Sequence, residues 1–165
     1  MPAILVENGR AAVAAAIKNQ PLYLAWGTGD PAWDGLAMRP SEAPGATKLI
    51  AETGRRLITQ PMYVIDDPNG KIKVSTGTFT ESAKPTKFLY LRFAYDFHDG
   101  ENDWIRELGV FVGGSTIPKG QSVNNNDYYL PSEVTDPGQL LVSEYIDVLK
   151  RGPQIKQQFE FVIQF

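Results

Sequence analysis

Apolar and polar positions divide this chain into a short helical opening and a long run of β-type alternation. Residues 9–19, GRAAVAAAIKN, are dominated by alanine, the strongest helix former. Asn8 stands ahead of them as the expected N-cap, and Val13 and Ile17, four apart, share one face. Alanine elsewhere lets this helix lie flat on a sheet or on a neighbouring subunit. Pro21 ends the pattern, and the apolar run 22–26, LYLAW, predicts a buried strand. Residues 27–45 then show no period and carry Trp33 among four glycines and three prolines. A second helix is expected over 46–53, with Leu49 and Ile50 buried and Gly54 as its C′ residue.

From Arg55 onward the alternation is that of strands. Segments 57–65 and 71–80 flank Asp66-Asp67-Pro68-Asn69-Gly70, and Asn-Gly between such runs predicts a hairpin. Ile72, Val74, Thr76 and Thr78 alternate with Lys71, Lys73 and Ser75, so one face there is wet. Pro61 cannot donate a ladder hydrogen bond and marks an edge or a bulge. In 88–97, Leu89, Leu91, Phe93, Tyr95 and Phe97 line one face, with Phe88, Tyr90, Arg92, Ala94 and Asp96 on the other. The polar turn 98–103 leads to 104–112, the expected partner strand. A second irregular stretch, 113–138, holds Asn124-Asn125-Asn126-Asp127 and three prolines. Strands over 139–149 and 155–165 close the chain, the last one tied into a sheet at Phe165. Neither an internal repeat nor a low-complexity tract is present.

The pattern predicts a mainly β (α+β) fold: an antiparallel β-sheet or sandwich domain with a short N-terminal helix and long irregular arms. It reads as one domain over 1–165, with a helix and loop portion at 1–54 and a β portion at 55–165 that includes the arm 113–138. The length, 165 residues, fits that reading.

Composition narrows the chemistry. Without cysteine there is no disulfide frame, Cys-ligated zinc, iron–sulfur cluster or thiol catalysis, and a single histidine, His98, excludes a multi-His metal site. Sixteen Lys and Arg against nineteen Asp and Glu give a net charge of −3, the wrong balance for nucleic acid. No stretch has the length of a membrane-spanning helix, and MPAILVENGR lacks the basic region of a secretory signal. A soluble protein without cofactors is expected.

Individual motifs are weak. Asp96, Asp99, Glu101 and Asp103 supply oxygens for calcium, but their spacing departs from the EF-hand and a solvated turn is the simpler reading. His98 lacks the serine elbow of a hydrolase. Gly27-Thr28-Gly29-Asp30 lacks both the third glycine of a dinucleotide fingerprint and the Lys-Ser/Thr of a P-loop. Trp26 and Trp104 read as caps on the core. Trp33, Tyr128 and Tyr129, set among Gly, Pro and Asn, read as interface rings or as anchors of their own loops, and Val13 and Ile17 on the helix join them as contact residues.

The order of segments says more than any one of them. Asn8-Gly9 opens the helix, a strand ends in a Gly-Thr-Gly turn (Trp26 to Gly29), and Leu49-Ile50-Ala51-Glu52 leads to Gly54-Arg55-Arg56. An aromatic strand precedes Ile105-Arg106-Glu107-Leu108-Gly109-Val110-Phe111, and the chain closes on Val162-Ile163-Gln164-Phe165. From Asn8 to Phe165 this order resembles baseplate and tail structural proteins of tailed bacteriophages, especially the N-terminal attachment domains of tail fibres and tail-fibre adaptors. The resemblance implies a non-enzymatic virion subunit, made in the host cytoplasm, that assembles with other tail and baseplate proteins and connects or docks tail fibres. It also implies a homo-oligomer, by analogy with trimeric fibres, and a stand-alone connector rather than a complete fibre. A carbohydrate-binding β module using exposed Trp and Tyr is the alternative.

Overall fold

A computed structural model describes residues 2–58, 60–118, 121 and 127–165. In chain order its elements are α1 (Glu7–Lys18), β1 (Leu22–Gly27), β2 (Glu52–Leu57), β3 (Met62–Asp66), β4 (Ile72–Val74) and β5 (Gly77–Ser82). They continue with β6 (Phe88–Tyr95), β7 (Trp104–Val112), β8 (Ser115–Thr116), β9 (Tyr128–Tyr129), β10 (Val134–Asp136), β11 (Gln139–Lys150) and β12 (Gln157–Gln164). The fold is mainly β and antiparallel, with one short helix near the N-terminus, as the alternation predicts. The chain groups into two compact units. One comprises residues 1–20, 58–93 and 158–165, the other 21–57 and 94–157.

The first unit carries α1 and a five-stranded sheet in the order β12-β6-β3-β5-β4. The helix begins two residues earlier than Asn8 as N-cap would place it. Val6 is its N-cap, without a side-chain bond, and Glu7 and Lys18 sit at the ends where the helix dipole favours them. Ala14 is its buried residue, Ile17 is half-buried and Val13 is exposed. The sheet's core is Val64, Phe79, Phe88 and Tyr90, with Met62, Ile72, Val74 and Val162 packed against it. The closing strand is tied in as expected: the Phe165 N–H donates to the Lys87 carbonyl, and Arg10 Nη1 donates to the Phe165 carbonyl at 2.7 Å.

Pairing here departs from the expected hairpin. β3 lies beside β5, Asp66 opposite Phe79, while β4 pairs only with β5 at the sheet edge. The segment 71–80 is therefore two strands, folded back at Ser75-Thr76. Asp67 explains the route. Its carboxylate accepts from the Asn69 N–H and the Thr80 hydroxyl, so the Asn69-Gly70 turn swings the chain outside β5. Gly70 lies where a Cβ would sit 2.1 Å from the Phe79 carbonyl oxygen. Lys71 and Lys73 thereby reach an edge, where lysine discourages stray pairing.

The second unit carries a five-stranded sheet, β11-β7-β1-β2-β9, and a small ribbon of β8 with β10. β1 is buried along its whole length, consistent with its unbroken apolar run. On one face Tyr23, Ala25, Leu49, Phe111 and Tyr129 cluster, with Leu57, Ile117 and Leu140 against them. Gly109 leaves the room that Leu49 and Leu140 occupy, since a Cβ there would lie 2.9 Å from each.

Four expectations are corrected in these sheets. Residues 46–53 form no helix. The Ile50 and Ala51 N–H groups donate to the Glu107 carboxylate and Thr28 N–H takes the Ala51 carbonyl, so the helical partners are pre-empted and β2 starts at Glu52. The turn 98–103 joins β6 to β7, but β7 pairs with β1 and β11, and β6 with strands of the other sheet. The hairpin expected over 139–165 is likewise absent, because β11 and β12 belong to different sheets. The stretch 57–65 is divided for the same reason, β2 ending at Leu57 and β3 starting at Met62, as the two serve separate sheets.

The two irregular stretches are more ordered than their composition suggests. The first contains a short 3-10 helix, Pro31–Gly35, capped by the Asp30 side chain accepting from the Ala32 N–H. The second contains β8, β9, β10 and a 3-10 turn, Pro131–Glu133, while Asn124, Asn125 and Asn126 lie outside the described residues.

Candidate functional site

Buried polar contacts in the second unit decide which side chains remain for a partner. At its centre Trp26, on β1, is fully buried. Tyr128 meets it edge-on at 6.2 Å between ring centroids, and the indole N–H donates to the Tyr128 hydroxyl at 3.0 Å. Tyr95 donates its own hydroxyl to the Leu24 carbonyl at 2.7 Å. Burial pushes both phenols well above the ordinary tyrosine range, so neither ionises at neutral pH. The acidic turn closes over these rings. Gly100, at φ 58°, lies against the indole where a side chain would clash.

The oxygens considered for calcium are committed to protein donors. The Asp99 carboxylate is buried and accepts from Arg56 and from the Asp96 N–H, both at 2.7 Å. Arg151, also buried, donates to the carbonyls of Asp96, Asp99 and Ile155, its guanidinium 5.1 Å from the Trp26 ring. Among the described residues no group of three metal-ligating side chains is assembled. His98 is exposed beside Glu101 at 3.2 Å. In the Gly27-Thr28-Gly29 turn, Thr28 N–H is bonded to the Ala51 carbonyl, and Gly29 lies against the Trp33 ring. That geometry serves packing rather than phosphate.

The loop between β1 and β2 is pinned along its length. Arg106 forks onto Asp34 with two bonds of 2.7 Å and also donates to the Thr28 and Trp104 carbonyls. That pairing holds the Asp34 carboxyl below the usual range. Trp33 is buried with its ring 4.4 Å from that of Tyr145. Arg39 pairs with Asp147, and Glu42 accepts from the Tyr145 N–H, which lowers its pKa. Together these ties lay the loop along β11. Among the outward side chains it leaves, Leu36, Met38 and Ile50 are apolar and exposed, beside Ser41, Thr47 and Lys48. Beside them a groove of about 410 Å³ runs between Trp33, Leu36, Met38, Ile146 and Val148.

In the first unit the exposed apolar side chains concentrate ahead of α1. Ile4, Leu5 and Val6 are 82%, 51% and 59% exposed, and Val13 continues them on the helix. This segment is held, because Arg10 Nε donates to the Leu5 carbonyl and Leu5 lies over Gly9.

The sequence-predicted contact residues therefore fall into two groups. Val13 is exposed and Ile17 half-buried, on the same helix. Trp33, Tyr128 and Tyr129 have their rings inside their own unit. Sequence reasoning missed Arg106, Glu107 and Arg151, whose signal was charge in or beside apolar strands: buried ions persist only when paired. It also missed Ile4, Leu5, Val6, Leu36 and Met38.

No helix among the described residues is long and apolar enough to cross a membrane. A family model described as "Baseplate wedge 3 tail fiber network component" matches residues 2–165. No curated protein matches the chain.

Proposed function

The chain belongs to the baseplate wedge 3 tail fiber network component family, which makes it a structural part of a bacteriophage tail baseplate, and we propose that it acts there as a connector, oligomerising, packing against neighbouring baseplate subunits and docking tail fibres. Its site of action is the virion tail, after synthesis in the host cytoplasm. The observation that carries the reading is the pinned loop between β1 and β2. Four polar anchors hold it, and among its outward side chains Leu36, Met38 and Ile50 are apolar and exposed, beside polar ones such as Ser41, Thr47 and Lys48. An ordered apolar surface loses little entropy on binding, and that is how a preformed contact differs from a loose loop. Val13, exposed on α1, supports a second contact through the helix.

The carbohydrate alternative requires exposed rings for stacking. Tyr128, Tyr129, Trp26 and Trp33 are buried, and Trp104 is half-exposed beneath Lys150. No observation favours it.

Co-purification tests the proposal. The chain, mixed with separately purified baseplate wedge proteins and the attachment domain of the tail fibre, is expected to elute with at least one of them in a stoichiometric complex. Met38→Asp should weaken that complex while the melting temperature stays unchanged. Elution apart from every such partner would overturn the connector reading.

A further inference from the structure

We propose that copies of this chain associate head to tail, the segment Pro2–Val6 of one copy entering the groove beside β11 of the next. The inference rests on the reading of the chain as an assembling subunit and names the surfaces. The two compact units carry opposite charge. The unit with α1 has seven Lys and Arg against five Asp and Glu, net +2, and the other has nine against fourteen, net −5. Opposite signs favour contact between unlike units of two copies and disfavour contact between like ones.

The contacting surfaces match within that field. The groove is of mixed lining: its charged residues are paired, Asp34 with Arg106 and Asp147 with Arg39, and between these pairs Leu36, Met38, Ile146 and Val148 offer apolar contact to an uncharged aliphatic segment. Its volume, about 410 Å³, lies within the ~300–1,000 Å³ of sites that enclose a group of a few side chains' size. Pro2-Ala3-Ile4-Leu5-Val6 carries no charge, is extended at Val6, and presents three large aliphatic side chains to solvent. The groove floor also suits an extended segment. It runs along β11, the edge strand of its sheet, and a sheet edge can receive an extended segment. A contact between different surfaces of identical chains is heterologous and propagates into rings or open chains.

Sedimentation of the full chain against concentration tests this. Wild type is expected to associate, less so at high salt. Leu5→Asp and Met38→Asp each remove one half of the contact, and each alone should shift the association midpoint about tenfold or more to higher concentration. Mixed one to one, the two variants should form a dimer and stop there, since the intact segment of one fits the intact groove of the other. Both positions are exposed, so unchanged circular dichroism and melting are expected for each. A monomeric wild type, variants that associate as wild type does, or a mixture that forms no dimer would overturn the inference. The connector reading fails separately, on co-purification with wedge proteins and the fibre.

Discussion

The indole of Trp26 lies flat on the phenol of Tyr95, their centroids 3.6 Å apart and their planes 11° from parallel. Tyr128 closes the arrangement edge-on to both rings, and its hydroxyl accepts the indole N–H. Tyr128 and Tyr129 are neighbours on β9 and so point to opposite faces of the sheet, Tyr128 to this stack and Tyr129 to Tyr23 at 6.5 Å. A two-residue strand inside the stretch 113–138 is thus secured on both faces. Tyr128→Phe keeps the ring and removes the acceptor, leaving a buried indole N–H to find another. Urea unfolding should report a loss of about 1–3 kcal/mol, and an unchanged midpoint would refute the role given to that bond.

Gly54 shows why that stretch sits where it does. A Cβ at this position would lie 2.1 Å from the Tyr128 hydroxyl oxygen. Gly54→Ala should therefore push the ring out of register and cost about 1–3 kcal/mol by overpacking. Gly35→Ala is the control, because its Cβ would meet nothing within 4 Å. Equal melting temperatures for the two variants would contradict the packing argument.

These residues also mark where the sequence was legible. Elements with a strong local signature emerge correctly: alanine gives α1, period-2 alternation gives β6, and β7, β11 and β12 fall close to their expected places. Strand partners do not emerge, because a polar turn such as 98–103 has the same composition whether it returns to the same sheet or leads to another. The false helix over 46–53 has the same origin. Its backbone donors are claimed by Glu107, more than fifty residues away, and local propensity carries no trace of that. Tyr128 and Tyr129 read as interface rings because Asn, Asp and Pro surround them, but the flanking composition does not determine where a ring points.

Arg151 and Asp99 lead to a prediction about the acidic turn. With its carbonyls and the Asp99 carboxylate bonded to Arg151, Arg56 and the Asp96 N–H, millimolar calcium should leave the melting temperature unchanged. Arg151→Met should lower it sharply, since each hydrogen bond from a buried charged donor contributes about 1.5–3 kcal/mol. A calcium-dependent rise in melting temperature would show that the turn opens to admit the ion.

Acid stability follows from the lowered carboxyls. Hydrogen bonds hold Asp34 (from Arg106), Asp67 (from Thr80, then the Asn69 N–H) and Asp96 (from the Phe97 N–H, then Lys156) below their ordinary value of 3.8. Such groups stabilise the fold fully above their unfolded pKa, and that contribution is lost as pH falls through the folded one. Burial raises Asp103, which acts in the opposite sense: its ionisation costs stability as pH rises through and above 3.8. Unfolding free energy should therefore drop below about pH 4, with a shallower limb in Asp67→Asn. In Asp103→Asn, stability relative to wild type should increase as pH rises above that point. A limb of the same slope in Asp67→Asn would remove Asp67 from the account.

Glu107 gives the sharpest test of how the loop between β1 and β2 is held. Its carboxylate is fully buried and accepts from the Ala51 N–H at 2.7 Å and the Ile50 N–H at 3.0 Å. Glu107→Gln keeps the shape but turns one acceptor into an N–H₂ facing a backbone donor, so one of the two bonds must break. Leaving that donor unmet should cost about 1–3 kcal/mol globally. The local signature matters more. Amide exchange at Ile50 and Ala51 should accelerate by more than the global loss explains, while exchange in the first unit's β3 and β5 rises only with the global term. Ile50 is exposed next to this anchor, so the same change should weaken any partner that contacts it, even where the subunit remains folded. If exchange in the loop and in β5 rises equally, Glu107 supports the whole fold, and the loop has no separate anchorage to lose.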